Sequence, residues 1–422
     1  MKLFQKLLVA GTGFSLLTPM VVQASELHNL EAMNSYKRSE KKAKRFDNNS
    51  FVNEVNNDLA ITEGRNDGFE VKQKYIEAGT FSDTTTADQK LVFSLGGAYA
   101  ENDADLDGQL QASYTYTMNL NTSFSGDDNL YLRLKSGNHT GYSVKKGEQN
   151  TYLSAGNSNG DNFKVDKIWY STPVNENGTF WIGPRIENYY MHATTPSIYK
   201  PVLKAFTLGG NAAAYGASTS PGAGYAYKWD NGMAFSTNFT SKGVDTGFLN
   251  FESDTSWATQ IGYTKPRYSV SAILNKKYHG WADTSYYTSD DGASRGGDGN
   301  SSNYGLRAWL RPGETGGKIP SISLGYDTSK TDEATDDTTT AYFVGLNWQD
   351  IFVADDRVGI AFGQPQKREN ETIDPFLYEI YYEYKLNDSV TLTPTIFGGT
   401  HENAADVETD MVGYVLNTSF KF

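Results

Sequence analysis

Residues 376–398 read FLYEIYYEYKLNDSVTLTPTIFG. Tyr378, Ile380, Tyr382 and Tyr384 alternate there with Glu379, Tyr381, Glu383 and Lys385. Successive strand side chains point to opposite faces, so this spacing predicts a strand with one apolar and one charged face. Asn387-Asp388 then forms a tight turn into a second extended run over 389–398.

The same period recurs along the chain. Leu130, Leu132 and Leu134 alternate with Tyr131, Arg133 and Lys135. Tyr304, Leu306, Ala308 and Leu310 alternate with Gly305, Arg307, Trp309 and Arg311. Tyr342, Val344, Leu346 and Trp348 share one face, opposite Phe343, Gly345 and Asn347. About sixteen such runs follow one another from 90–100 to 411–422, each long enough to cross a bilayer on a tilt. Eighteen strands is the near alternative.

The connections separate a membrane barrel from a soluble sandwich. Turns at 125–128, 175–177, 230–231, 265–266 and 387–388 are short. Connections at 138–162, 188–221, 243–254, 278–302, 328–339 and 399–410 are long. Alternating short and long connections put turns at one barrel end and loops at the other, the outer-membrane arrangement with periplasmic turns. In such a barrel the apolar face meets lipid and the charged face lines water. The last run carries Val412, Tyr414, Leu416, Thr418, Phe420 and Phe422 on one face and resembles the terminal aromatic signal of outer-membrane barrels. The predicted fold is therefore all-β: a transmembrane antiparallel β-barrel with one long loop folded inward.

Composition agrees. The chain has 422 residues with 28 Tyr, 22 Phe, 7 Trp and 41 Gly, yet its mean hydropathy is −0.55. In a barrel only alternate residues face lipid, which keeps average hydropathy low. There is no cysteine, so disulfides, thiolate metal sites and thiol catalysis are excluded. Met1, Lys2 and Lys6 precede an apolar run from Leu7 to Val22, and Val22-Gln23-Ala24 is a small-x-small cleavage pattern. Residues 1–24 are expected to be a cleaved signal peptide and the mature chain to begin at Ser25. Removing Lys2 and Lys6 makes the net charge of −13 more negative by two, which argues against nucleic acid as a partner. Residues 25–88, including KRSEKKAKR at 37–45, read as a polar periplasmic extension, and 89–422 as the barrel.

Three stretches carry a family resemblance: EAGTFSDTTTADQKLVFSLGG at 77–97, NLNTSFSGDDNLYLRLKSGN at 119–138 and DKIWYSTPVNENGTFWIGPR at 166–185. In their order and spacing the chain resembles cyanobacterial Som-type outer-membrane porins, relatives of the carbohydrate-selective OprB porins. That resemblance implies an outer-membrane location, passage of sugars or inorganic ions including iron, and a homotrimer. Porins of this kind usually carry a surface-layer-homology domain and a coiled coil ahead of the barrel. The stretch 25–88 is too short for both.

Candidate functional residues follow from the polar faces. Arg133, Lys135, Arg307, Arg311, Glu379, Glu383 and Lys385 face the lumen by phase, and Arg185 closes its strand just before the longest loop. Charge on the lipid face would cost about 2–4 kcal/mol at mid-depth, which supports this phase. The alternative is wall charges that satisfy one another. The 188–221 loop is too apolar to leave in water, with Tyr189, Tyr190, Ile198, Tyr199, Val202, Leu203, Phe206 and Leu208. Folded inward, it brings Tyr199, Lys200 and Lys204 to the constriction. Asp103, Asp105, Asp107 and Gly108 open like a calcium loop, but its twelfth position is Tyr114 where a bidentate Glu is required. His28, His139, His192, His279 and His401 show no ligand spacing. No cofactor and no enzymatic activity is implied. The function predicted is passive diffusion of small hydrophilic solutes. The alternative is a closed barrel linking membrane to cell wall.

Overall fold

A computed structural model describes residues 84–101, 106–139, 151–210, 212–216, 219–242, 247–250, 252–279, 299–332, 338–369, 373–402 and 408–422. Nearly all of 1–88 lies outside these, so the signal peptide and the polar extension are not described. Asp103, Asp105 and His28 also lie outside.

The period-two runs build sixteen strands: β1 Thr85–Ala100, β2 Gln111–Thr122, β3 Asn129–Gly137, β4 Lys164–Asn175, β5 Gly178–Ile186, β6 Ser220–Lys228, β7 Met233–Ser241, β8 Thr255–Lys265, β9 Tyr268–Tyr278, β10 Ser301–Leu310, β11 Ser321–Thr331, β12 Thr338–Gln349, β13 Arg357–Arg368, β14 Leu377–Lys385, β15 Val390–Glu402 and β16 Glu408–Lys421. Each pairs antiparallel with its sequence neighbours, and β1 closes on β16 with Lys90 opposite Lys421 and Ala100 opposite Met411. Closure removes the unpaired edges that a sheet would otherwise expose. The strand number is sixteen, not eighteen. Among the described residues no helix is long and apolar enough to cross a membrane.

The outward phase is as the sequence predicts. Ile182, Trp257, Ile261, Val270, Leu306, Leu310, Leu324, Ile380 and Ile396 stand exposed around the wall, an apolar band of the kind expected where a barrel meets lipid. The inward phase is dominated by small polar residues such as Ser236, Asn238, Ser256, Ser271, Asn275, Ser323 and Thr395.

Turn chemistry holds one end together. Asp128 accepts hydrogen bonds from the backbone N–H groups of Phe124 and Ser125, both at 2.8 Å, from the Ser123 hydroxyl and from the Tyr170 hydroxyl of β4. Burial opposes its charged form, yet the hydrogen bonds from Ser125, Tyr170 and Ser123 outweigh this and hold the carboxyl well below the usual carboxylate range. Asp356 repeats the device, accepting from Ile351, Phe352 and Val353 and from Tyr382 of β14. Two connections at this end, 311–320 and 350–356, are longer than the turns at 125–128, 175–177, 230–231, 265–266 and 387–388.

Candidate functional site

The long connection after β5 leaves the wall and crosses the lumen. It carries three short 3₁₀ turns, Asn188–Met191, Lys204–Gly209 and Ala212–Tyr215. The first leg is pinned strand by strand. The Asn188 side chain donates to Asn238 of β7, the Thr194 N–H donates to Gln260 of β8, and the Trp309 indole of β10 donates to the Thr195 carbonyl. The Ile198 N–H then donates to Ser323 of β11. The tip reaches β14, where Glu379 is completely buried. Its carboxylate accepts from the Tyr199 hydroxyl at 2.7 Å, the Val202 N–H at 3.1 Å and the Leu203 N–H at 2.6 Å. The return leg is pinned by Arg307, which donates to the Leu208 carbonyl at 2.8 Å and pairs with Asp327 at 2.9 Å, with Tyr215 against its guanidinium. Gly209 and Gly210 adopt φ of 78° and 119°, and a Cβ at Gly325 of β11 would collide with the Gly209 carbonyl. Glycine allows this close approach.

The preceding long connection also turns inward. Leu153 pairs with Leu203, the Ser154 N–H donates to the Val202 carbonyl, and the Lys204 N–H donates to the Tyr152 carbonyl. The two loops thus brace each other at the tip. Leu153, Tyr199, Val202, Leu203 and Phe206 join Phe343, Tyr381, Phe397, Met411 and Val415 in a buried apolar cluster on the β12–β16 side.

A second charged cluster lies on the β3–β5 side. Arg133 stays 20 % exposed and Asp166 29 % exposed. A bulge in the β3–β4 ladder puts Asp166 beside the Arg133–Lys167 pair. Arg133 and Lys167 are themselves direct Cα partners, and the bulged Asp166 sets a carboxylate beside these two like charges. Asp166 lies 3.9 Å from Arg133 and 3.6 Å from Lys167, and Lys167 reaches Glu187 at 3.0 Å. The Arg133 Nε and the Tyr131 hydroxyl both donate to Asn119. Asp166, Arg133, Lys204 and Lys167 together set the field at Lys135. Aromatic rings back the cluster: Arg133 lies over Tyr131, Lys167 over Tyr190, and Tyr189 stacks against Tyr190 at 4.3 Å. Four cations thus gather around two carboxylates.

Arg133, Lys135 and Lys204 meet there, with Arg185 exposed at the border and donating to the Asp166 carbonyl. Arg307 and Glu379 do not. Both point inward as expected, but the loop covers them and they serve as its anchors. The same holds for Tyr199. Arg311 is buried at the turn end, donating to the Pro266 carbonyl and lying over Trp309. Lys385 pairs with Asp355 and Asp388 at that same end. Glu383 pairs with Arg357 at 3.3 Å, and Lys200, Lys90 and Lys421 contribute to its field. Sequence reasoning missed Lys167, Asp166 and Glu187. Lys167 shares its strand face with Trp169, a signal that alternation alone contains.

Asp107 bonds only locally, pairing with Tyr99 and accepting from Gln109, and Tyr114 bonds to Asp161. Among the described residues no group of three His, Asp or Glu could hold a metal. Gly156-Asn157-Ser158-Asn159-Gly160 has the spelling of a nucleophile elbow. It lies in a strand-to-strand loop, not the strand-to-helix turn that gives that motif meaning.

No family model matches the chain. An uncharacterized protein of the cyanobacterium Nostoc is 26 % identical over 421 residues, 87 % of this chain and 71 % of that one. Pseudomonas putida OprB superposes with a TM-score of 0.58 at 10 % identity, over 84 % of this chain and 97 % of OprB. Salmonella typhi OmpF in complex with daunomycin superposes with a TM-score of 0.52 at 16 % identity, over 80 % of this chain and 97 % of OmpF. The barrel has the fold of an outer-membrane porin. In this porin-type barrel the inward loop packs on the β12–β16 wall, and the charged cluster lies on the β3–β5 side.

Proposed function

We propose that the chain is an outer-membrane porin of the Som type, through which small hydrophilic solutes diffuse passively with a weak preference for anions, and that it performs no catalysis. The observation that carries this reading is the charged cluster on the β3–β5 side, which we read as the constriction. Arg133, Lys135, Lys167 and Lys204 outnumber Asp166 and Glu187, and the buried rings of Tyr131 and Tyr190, with Tyr189 packed on them, back the charges. Charges in a narrow passage act through a lower effective dielectric than charges in open water. Acids in the outward loops raise local cation concentration at the mouth, but salt screens them over about 8 Å. Asp327, toward the loop end of β11, is buried against Arg307 and adds nothing at the mouth. Whether sugars or inorganic ions are the physiological cargo turns on the same residues. A charged cluster backed by aromatic rings accommodates both.

Planar-bilayer recording across a salt gradient tests this. Wild type is expected to conduct with a reversal potential on the anion side. Arg133→Gln with Lys135→Gln is expected to move it toward cations. An unchanged reversal potential in the double variant overturns the assignment of the constriction. No conductance at any voltage favours the closed, membrane-to-wall linker instead.

A further inference from the structure

We propose that the outer wall carries a binding site for the anionic headgroup of a membrane lipid, formed by Lys276 of β9, Ser302 of β10 and Lys330 of β11 at the loop end of the barrel. The site is separate from the pore and rests on the reading of the chain as a membrane porin.

The ladder registers put these three residues in one outward-facing row. Ser302 is the Cα partner of Lys276 on one side and of Lys330 on the other. Both lysines are exposed, and the Lys276 ammonium donates to the Ser302 hydroxyl. Neighbouring strands lie about 4.8 Å apart, so the lysine Cα atoms stand roughly 10 Å apart with the serine between them. Two four-carbon stems of that separation converge readily on one phosphate- or sulfate-sized anion above the hydroxyl. The row sits at the right depth for a headgroup. Ser302 is the second residue of β10 and Lys330 is one residue short of the end of β11. One step toward the barrel middle the row is Leu274–Tyr304–Thr328, and one step further Ala272–Leu306–Tyr326. Tyr304, Leu306 and Tyr326 are all exposed on the lipid side, and Trp257 is the partner of Lys276 on β8. A cationic row directly above an aromatic and aliphatic band is what a lipid needs, with headgroup on ammonium and chain on rings.

Two other lysines at this end pair with acids. Lys367 pairs with Asp374, and Lys242 pairs with Asp254 at 3.2 Å. Asp332 follows Lys330 on the same side of the wall and offsets part of the positive charge, while the Lys276–Ser302 half of the row faces no carboxylate among the described residues.

The test uses the full barrel in nanodiscs of phosphatidylcholine with phosphatidylglycerol, with native mass spectrometry reading which lipids stay bound. Wild type is expected to retain phosphatidylglycerol over phosphatidylcholine. Each lysine near a membrane surface is worth about fivefold in affinity. Lys276→Gln and Lys330→Gln are each expected to lower the preference by about that factor, and the pair to abolish most of it. Lys242→Gln should leave it intact. An unchanged preference in the double variant, with heat-modifiable mobility of a folded barrel, overturns the site. So does a wild type that shows no preference. Bilayer conductance recorded in parallel separates the readings, because a non-conducting barrel refutes the pore without touching lipid retention.

Discussion

Replacing Glu379 by Ala should free the tip of the inward loop while leaving the barrel closed. Glu379 holds that tip through three donors, the Tyr199 hydroxyl and the backbone N–H groups of Val202 and Leu203. Hydrogen bonds to a charged partner are worth about 1.5–3 kcal/mol each, so three give an upper bound of about 4.5–9 kcal/mol. Water in the vacated space re-solvates part of the loop, and removing one member of a buried charged network costs about 3–5 kcal/mol. The barrel keeps its backbone ladder, so the loss falls on local opening rather than on global unfolding. At about 3 kcal/mol, amide exchange at Val202 and Leu203 should accelerate roughly a hundredfold, since each 1.4 kcal/mol is a factor of ten. Hydrogen exchange on those two amides is the direct assay, and single-channel recording is the functional one. Conductance should rise and become noisier as the Leu153–Leu203 brace loses its support. Unchanged protection at both amides would show that the loop is held by packing in the apolar cluster and that the carboxylate is incidental.

Arg307→Ala should loosen the return leg at Leu208 and Tyr215, seen as faster exchange there, yet leave the reversal potential near that of wild type. A shift as large as that of the Arg133 and Lys135 variant would mean that Arg307 faces water after all. Asp128 predicts a pH effect. Its folded pKa is depressed, so its contribution to stability is present above the unfolded carboxylate value and is lost as pH falls through the folded one. Urea unfolding in detergent should therefore show wild type losing stability below about pH 4, while Asp128→Asn starts less stable, by about 1–3 kcal/mol, and varies less over that range. Parallel pH profiles for the two proteins would refute this account of the turn.

The strand count, the faces and the turn end were legible in the sequence because each depends on neighbours. Tyr378, Ile380, Tyr382 and Tyr384 point one way because strand side chains alternate, whatever lies elsewhere in the chain. Asp128 could be read as part of a turn, though not as its hub, since its Tyr170 partner comes from another strand. The apolar character of 188–221 foretold an inward loop. Its path was not foretold, and neither was the inward turn of residues 151–157, whose sequence TYLSAGN carries little apolar signal.

Period, phase and the alternation of connections thus pointed to a barrel of about sixteen strands with charged residues facing inward. They could not say which of those charges meet water. Arg133, Arg307 and Glu379 are equivalent by pattern, each an inward residue on an alternating strand. Tertiary structure separates them, because the loop after β5 docks on partners up to 180 positions away, as Tyr199 does on Glu379. It buries Arg307 and Glu379 as anchors and leaves Arg133 at the opening. Local sequence encodes which side of a strand a residue occupies. Only the folded chain decides what covers that side, because desolvation depends on the whole path of the loop.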